Sequence, residues 1–254
     1  MIFLTCSRYR SSAFQSIPTP RAFLTAAICV KTSANYYESK GNIAEAFRAV
    51  CSQSVPDDGV EFDTARLEAA PIREELKYGG VRIRTTALID RARIPVQIDV
   101  GFGDAITPAP REIHYPTLLD APAPHLLAYP LETVVTEKFE VLVTRGIANS
   151  RLKDFYDLYL IVQTFALETI QLAEAVRRTF ERRDTGLPTT PPIGLTEAFA
   201  RAWAPQWRTF LTRERMATAP EHLEAVIVEL RAFLMPLAER APSEQKAFDI
   251  SRGA

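Results

Sequence analysis

The sequence predicts an α+β protein, sheet first and helices after, and three observations carry the prediction. Apolar residues alternate with period two through 81–86 and 94–101, and period 3.6 takes over beyond Pro130. Between the two textures lies a stretch studded with prolines.

Residues 1 to about 40 show no sustained period, only scattered Ser, Thr and Pro around an isolated apolar patch. That segment is expected to pack loosely, because no face of it offsets an ordering entropy of about 1–2 kcal/mol per residue. From Gly41, GNIAEAFRAVCSQS predicts a short helix with Ile43, Phe47, Val50 and Cys51 near one face. VPDDGVEFD predicts a turn into a strand, with Asp57 and Asp58 in the turn. In VRIRTTALID, Val81, Ile83 and Thr85 alternate with Arg82, Arg84 and Thr86. In RIPVQIDVGFGD, Ile94, Val96, Ile98 and Val100 oppose Gln97, Asp99 and Gly101. Two adjacent strands joined by a tight turn near Asp90 to Arg93 follow. The link TPAPREIHYPTLLDAPAPHLLAYP is expected to end the sheet, since its prolines donate no ladder hydrogen bonds. Helices are predicted at about 130–145, 151–166, 168–182, 195–212 and 220–239, with DTGLPTTPPIG as a loop. The organisation read from this is a poorly specified 1–40, an α/β core over 41–129, a helical region over 130–240 and a tail over 241–254.

Composition narrows the setting. With 47% hydrophobic and 24% charged residues, 254 residues suffice for a full core. Thirty basic against 31 acidic residues leave a formal charge of −1, so any nucleic-acid contact rests on a local patch rather than a chain-wide field. Cys6, Cys29 and Cys51 have no metal-ligand spacing and leave an odd thiol, which fits a reducing cytoplasm. The apolar run Ala22 to Val30 is too short to span a bilayer, and the first residues lack a secretory pattern. A cytoplasmic protein without membrane contact is expected.

Three places stand out chemically. Asp99 ends a branched-chain run on the less apolar side of its strand, beside Gly101 and Gly103, where a carboxylate can hold a divalent cation or accept a proton. The bland alternative is a strand-end Asp in a turn. Lys138 falls inside the stripe Leu131, Val134, Val135, Leu142, as an ammonium aimed at a phosphate or as a snorkelling margin lysine. Its neighbour Glu137 does not face it, since adjacent helix positions diverge. In NSRLKDFYDLYLI, charges interleave with Phe155, Tyr156 and Tyr159 so tightly that some must approach buried surface. Asn149 or Ser150 can cap that helix. Arg151 and Lys153 in its first turn oppose the helix dipole and favour an anionic partner, while Asp157 can reach Lys153 four residues back and Asp154 three back. A solvated ion-pair ladder is the competing account.

QIDVGFGD, YPLETVVTEKFEVLV and NSRLKDFYDLYLI, in this order, resemble the AbiEii/AbiGii nucleotidyltransferase family, the toxin half of a type IV toxin-antitoxin pair. The likeness covers roughly residues 41 to 240. It implies a polymerase-beta-like nucleotidyltransferase core followed by a helical region. It also implies transfer of a nucleotide from a nucleoside triphosphate, with Mg2+, to an acceptor such as tRNA, and a cognate antitoxin as partner. Carried onto this chain, Lys138 becomes the phosphate-gripping lysine of the EK pair, Asp154 the acidic residue of KDFYDL, and Asp99 the carboxylate and metal ligand on a core strand. Arg151, Lys153 and Asp157 join Lys138 around the nucleotide, and Asp99, Lys138 and Asp154 are expected to converge on one cleft.

The chain departs from the family ahead of Gly41. Neither a small-residue glycine motif nor an Asp-x-Asp pair occurs there, and Glu38 is the only acidic residue before Lys40. Phosphoryl transfer depends on metal-bridged neutralisation of developing charge, so transfer is expected to be impaired. The codons of CSRYRSSAFQSIPTPRA admit another frame with a G-A-A-L motif, so residues 1 to about 40 are expected to be a frame-shifted or misassigned start. Two other readings stay open: a non-catalytic binding remnant of the family, and a helical interaction protein in which Lys138 and Asp154 face solvent.

Overall fold

The computed structural model describes residues 2–5, 27–28, 40–55, 57–72, 80–101, 105–115, 123–216 and 218–241. The tail beyond 241, Gly103 and most of 1–39 lie outside the described residues. The chain forms two compact units, a sheet with one helix over most of 1–128 and a helical unit over 129–254 that also takes in 105–110. No helix among the described residues is long and apolar enough to cross a membrane.

In the first unit, β1 (Ile2–Thr5), β2 (Ala27–Ile28), β3 (Val60–Phe62), β4 (Glu68–Ile72), β5 (Gly80–Ile89), β6 (Ala92–Gly101), β7 (Arg111–His114) and β8 (His125–Ala128) make one antiparallel sheet with α1 (Lys40–Cys51). The strand order is β3-β5-β6-β1-β2-β8-β7, and β4 shares the β3 edge of β5. The central hairpin turns through Asp90 and Arg91, with Asp90 in the left-handed region at φ 50°. A two-residue loop with positive φ matches the twist of the strands it joins, so it also sets their register. Val81, Ile83, Ile98 and Val100 alternate inward and pack with Ile43, Ala44 and Leu67, while Phe47 and Cys51 of α1 close the edge of that core. Val50, expected near the buried face of α1, is exposed, because Ile43 and Phe47 already fill the width the sheet offers.

Two expectations need correction here. The proline-rich link does not end the sheet: it contributes β7 and β8, which pair with each other and, through Ala128, with β2. Pro110, Pro116, Pro124 and Pro130 stand outside REIH and HLLA, so no ladder donor is lost. Within 1–40, Ile2–Thr5 pairs with Gln97–Val100 of β6, and Ala27–Ile28 pairs with β1 and β8, so part of that segment is regular.

The second unit is built from α2 (Leu131–Arg145), α3 (Leu152–Thr164), α4 (Thr169–Arg182), α5 (Glu197–Glu214) and α6 (Leu223–Arg240). Each lies within a few residues of its expected span, and 184–192 forms the expected loop before a single helical turn at Ile193–Leu195. Thr196 caps α5 by accepting from the Phe199 N–H at 3.3 Å. The core stacks Phe155 on Phe199 at 5.0 Å and tilts Phe139 against Phe180 at 5.3 Å, with Trp207 fully buried beside Phe210. Such aromatic pairs add about 0.5–1.5 kcal/mol each beyond the area they bury.

Candidate functional site

α3 is buried on most of its circumference, with Leu152, Phe155, Tyr156, Leu158, Leu160 and Ile161 in the core. Its charges therefore concentrate on the one stripe that faces α2. Lys138 reaches across from α2 and donates to Asp154 Oδ1 and, at 3.0 Å, to Asp157 Oδ2. Lys153, one turn before Asp157, donates to both of its oxygens at 2.9 and 2.7 Å. Arg151 Nη1 lies 3.7 Å from Asp154 Oδ2, and that oxygen is buried without a hydrogen bond. Lys138, Lys153 and Arg151 thus meet at Asp154 and Asp157.

Burial pulls the Lys138 ammonium down, and the charges of Asp157 and Asp154 with their hydrogen bonds overcome that pull and hold it above its ordinary value. Lys138 is therefore not a snorkelling lysine: 19% of its side chain is exposed, and its head points inward to carboxylates. In the Lys153–Asp157 pair the carboxylate is buried, with 8% of its side chain exposed, while 48% of the Lys153 side chain is open to solvent. Glu137, next to Lys138 in sequence, turns away to Arg183 at 3.4 Å, as adjacent helix positions require.

The helix start differs from expectation. Neither Asn149 nor Ser150 caps α3; the N-cap is Arg151, without a side-chain bond. Asn149 is fully buried and its Oδ1 accepts from the Arg151 N–H at 3.1 Å, so its side chain shapes the turn before the helix instead.

Asp99 sits in the sheet unit, on the side of β6 away from α1, directly across from Arg82 of β5. The Arg82 guanidinium grips it with both prongs, Nε to Oδ1 and Nη2 to Oδ2, each at 2.7 Å. The hydrogen bond to Asp99 raises Arg82 above its ordinary value, against partial burial. Arg82 escaped the sequence reading as a functional residue, yet counting back from the loop Asp90–Arg91 pairs it with Asp99. A second network was also unread: buried Glu140 accepts from Arg183 Nη1 at 2.6 Å and from the Thr185 hydroxyl at 2.9 Å, tying α2 to the turn after α4. It lay hidden because its partners are more than forty residues apart in sequence.

The magnesium ion implied by the resemblance does not fit the donors described. Asp57 and Asp58 accept from the Gly59 and Val60 N–H groups in a turn, Asp99 is neutralised by Arg82, and Asp154 and Asp157 are engaged by lysines. Among the described residues no three metal-ligating side chains converge. A divalent cation needs several oxygen ligands free of competing cations, so no step is drawn through it.

No curated protein matches the chain. The model of one family, the nucleotidyl transferase AbiEii toxin of type IV TA systems, matches residues 30–229, which takes in β5, β6, α2 through α5 and the first part of α6. A match over that span, with Lys138, Asp154 and Asp99 inside it, means that the chain belongs to the AbiEii nucleotidyltransferase toxin family.

Proposed function

We propose that this chain binds a nucleoside triphosphate through Lys138, with Arg151 and Lys153 adding positive charge, as the nucleotidyltransferase-type toxin of its pair. Family membership implies a nucleotide substrate and an antitoxin partner. The finer reading is a polymerase-beta-like core that transfers a nucleotide to a tRNA acceptor in the cytoplasm, with Asp154 as the acidic residue beside the phosphates and Asp99 as the carboxylate of the sheet. The observation that carries it is Lys138 itself, a largely buried ammonium on α2 held at Asp154 and Asp157, with Arg151 and Lys153 of α3 beside the same carboxylates. An ionisable group that is both desolvated and set by specific charge partners, as Lys138 is by Asp157 and Asp154, is the kind of group that functional sites are built around.

A second reading is favoured by the engaged carboxylates: the chain binds nucleotide without transferring it efficiently. With Asp99 held by Arg82 and no Asp-x-Asp pair before Gly41, transfer by the chain as it stands is expected to be weak or absent. Labelled nucleoside triphosphates with magnesium and tRNA, alongside calorimetric titration of the same nucleotides, test both. Binding lost in Lys138→Ala with no transfer by the wild type supports the binding reading. Robust transfer means that the metal ligands have been misassigned, and undiminished binding by Lys138→Ala removes the phosphate role.

A further inference from the structure

The two carboxylates that meet Lys138 are not equivalent. Both oxygens of Asp157 are engaged: they accept from Lys138 at 3.0 Å and from Lys153 at 2.9 and 2.7 Å. Asp154 accepts at Oδ1 only, and its Oδ2 is buried with no hydrogen bond and a guanidinium at 3.7 Å. A carboxylate whose oxygens are all engaged cannot take a proton or receive a substrate hydroxyl without first breaking a charge-assisted bond, whereas one with an oxygen to spare can. The difference follows from helix geometry. Asp157 lies four residues after Lys153 and so collects a second lysine from its own helix, while Asp154, at the first turn, has only Arg151 behind it.

We propose that Asp157 is a positioning residue, which fixes the Lys138 ammonium against α3 and leaves Asp154 as the carboxylate available to a ligand. The assignment rests on the reading above that Lys138 holds phosphate, and it moves Asp157 from contact with the nucleotide to support behind it. Among the described residues, the charges facing Lys138 are Asp154 and Asp157 of α3, with Arg151 and Lys153 of α3 behind them. On the α4 side of α2, Glu137 and Glu140 each pair with Arg183, and the turn Ile193–Leu195 carries no charge.

The test uses the full chain, inorganic triphosphate as the probe, and two readouts. Asp157→Asn keeps shape and removes a negative charge, so electrostatics alone would tighten triphosphate binding. Positioning predicts the reverse, a loss of about tenfold or more, as expected when a charged hydrogen bond that orders the binding group is removed. Without any ligand, reductive methylation of Lys138 followed by mass spectrometry should speed up in Asp157→Asn and its pH profile should move to lower pH. Lys153→Met, which leaves the Asp157–Lys138 bond in place and removes a neighbouring cation, should not speed up Lys138 methylation, so that acceleration is confined to loss of the Asp157 charge. Unchanged methylation of Lys138 in Asp157→Asn, or tighter triphosphate binding, overturns the proposal while the phosphate role of Lys138 stands. Full binding by Lys138→Ala overturns the phosphate role instead, and the methylation profile then still decides whether Asp157 holds Lys138.

Discussion

Asp157 and Asp99 show how one residue type takes different duties from its surroundings. Asp157 sits under buried surface between two ammoniums, and its loss would leave Lys138 desolvated with only Asp154 as counter-charge. Asp157→Ala is therefore expected to cost about 2–3 kcal/mol in urea unfolding, below the 3–5 of a fully orphaned buried charge, because Asp154 remains. Asp99 with Arg82 is partly exposed on a sheet face, with 21% and 31% of the side chains open to solvent, and its bidentate bond is correspondingly easier to give up. That Asp157 could reach Lys153 was legible from a spacing of four. That both would meet Lys138 was not, because helix periodicity says which side a residue is on and not which helix packs there.

Within α4, Glu174 accepts from Arg177 at 2.7 and 2.8 Å and from Arg178, and Arg177 reaches on to Glu181 at 3.0 Å. The Arg177 hydrogen bonds, helped by Arg178 and opposed by burial, hold the Glu174 carboxyl down at about 2. Because the folded value is depressed, its stabilisation is complete above the unfolded value near 4.5 and drains away as pH falls toward 2. Glu174→Gln is expected to lose about 1 kcal/mol at neutral pH, with the gap to wild type closing by pH 2, as read from urea melts across that range. In the sheet, a Cβ added at Gly80 would stand 2.8 Å from the Val100 carbonyl oxygen, a backbone atom that cannot swing aside. Gly80→Ala should therefore destabilise by about 1–3 kcal/mol in the same measurement. The strands β7 and β8 were the elements misread, since prolines that bracket a strand look from composition alone like prolines that forbid one.

Across the chain, protection should follow burial. α2, α3 and α6 supply much of the fully buried helical core, while β7 and β8 are four residues each with no fully buried side chain. Hydrogen exchange is expected to find the slowest amides in those helices and markedly faster ones in β7 and β8; equal protection of the two would contradict this picture. The pI of about 6.4 and the formal charge of −1 provide no general attraction for RNA, so an acceptor would have to be held by local contacts with a shallow salt dependence.

The α+β order, five of the helices to within a few residues, the central hairpin and the family were all readable in the chain, because periodicity, prolines and short motifs are local and survive without a fold. The clustering of Lys138 with Asp154 and Asp157, the grip of Arg82 on Asp99, the buried Glu140–Arg183–Thr185 tie and the division of labour between two aspartates of one helix were decided only in three dimensions. Each of these depends on which elements pack side by side and on how many partners a buried charge can gather there. Packing of that kind is a sum over residues far apart in sequence, and no local pattern encodes it.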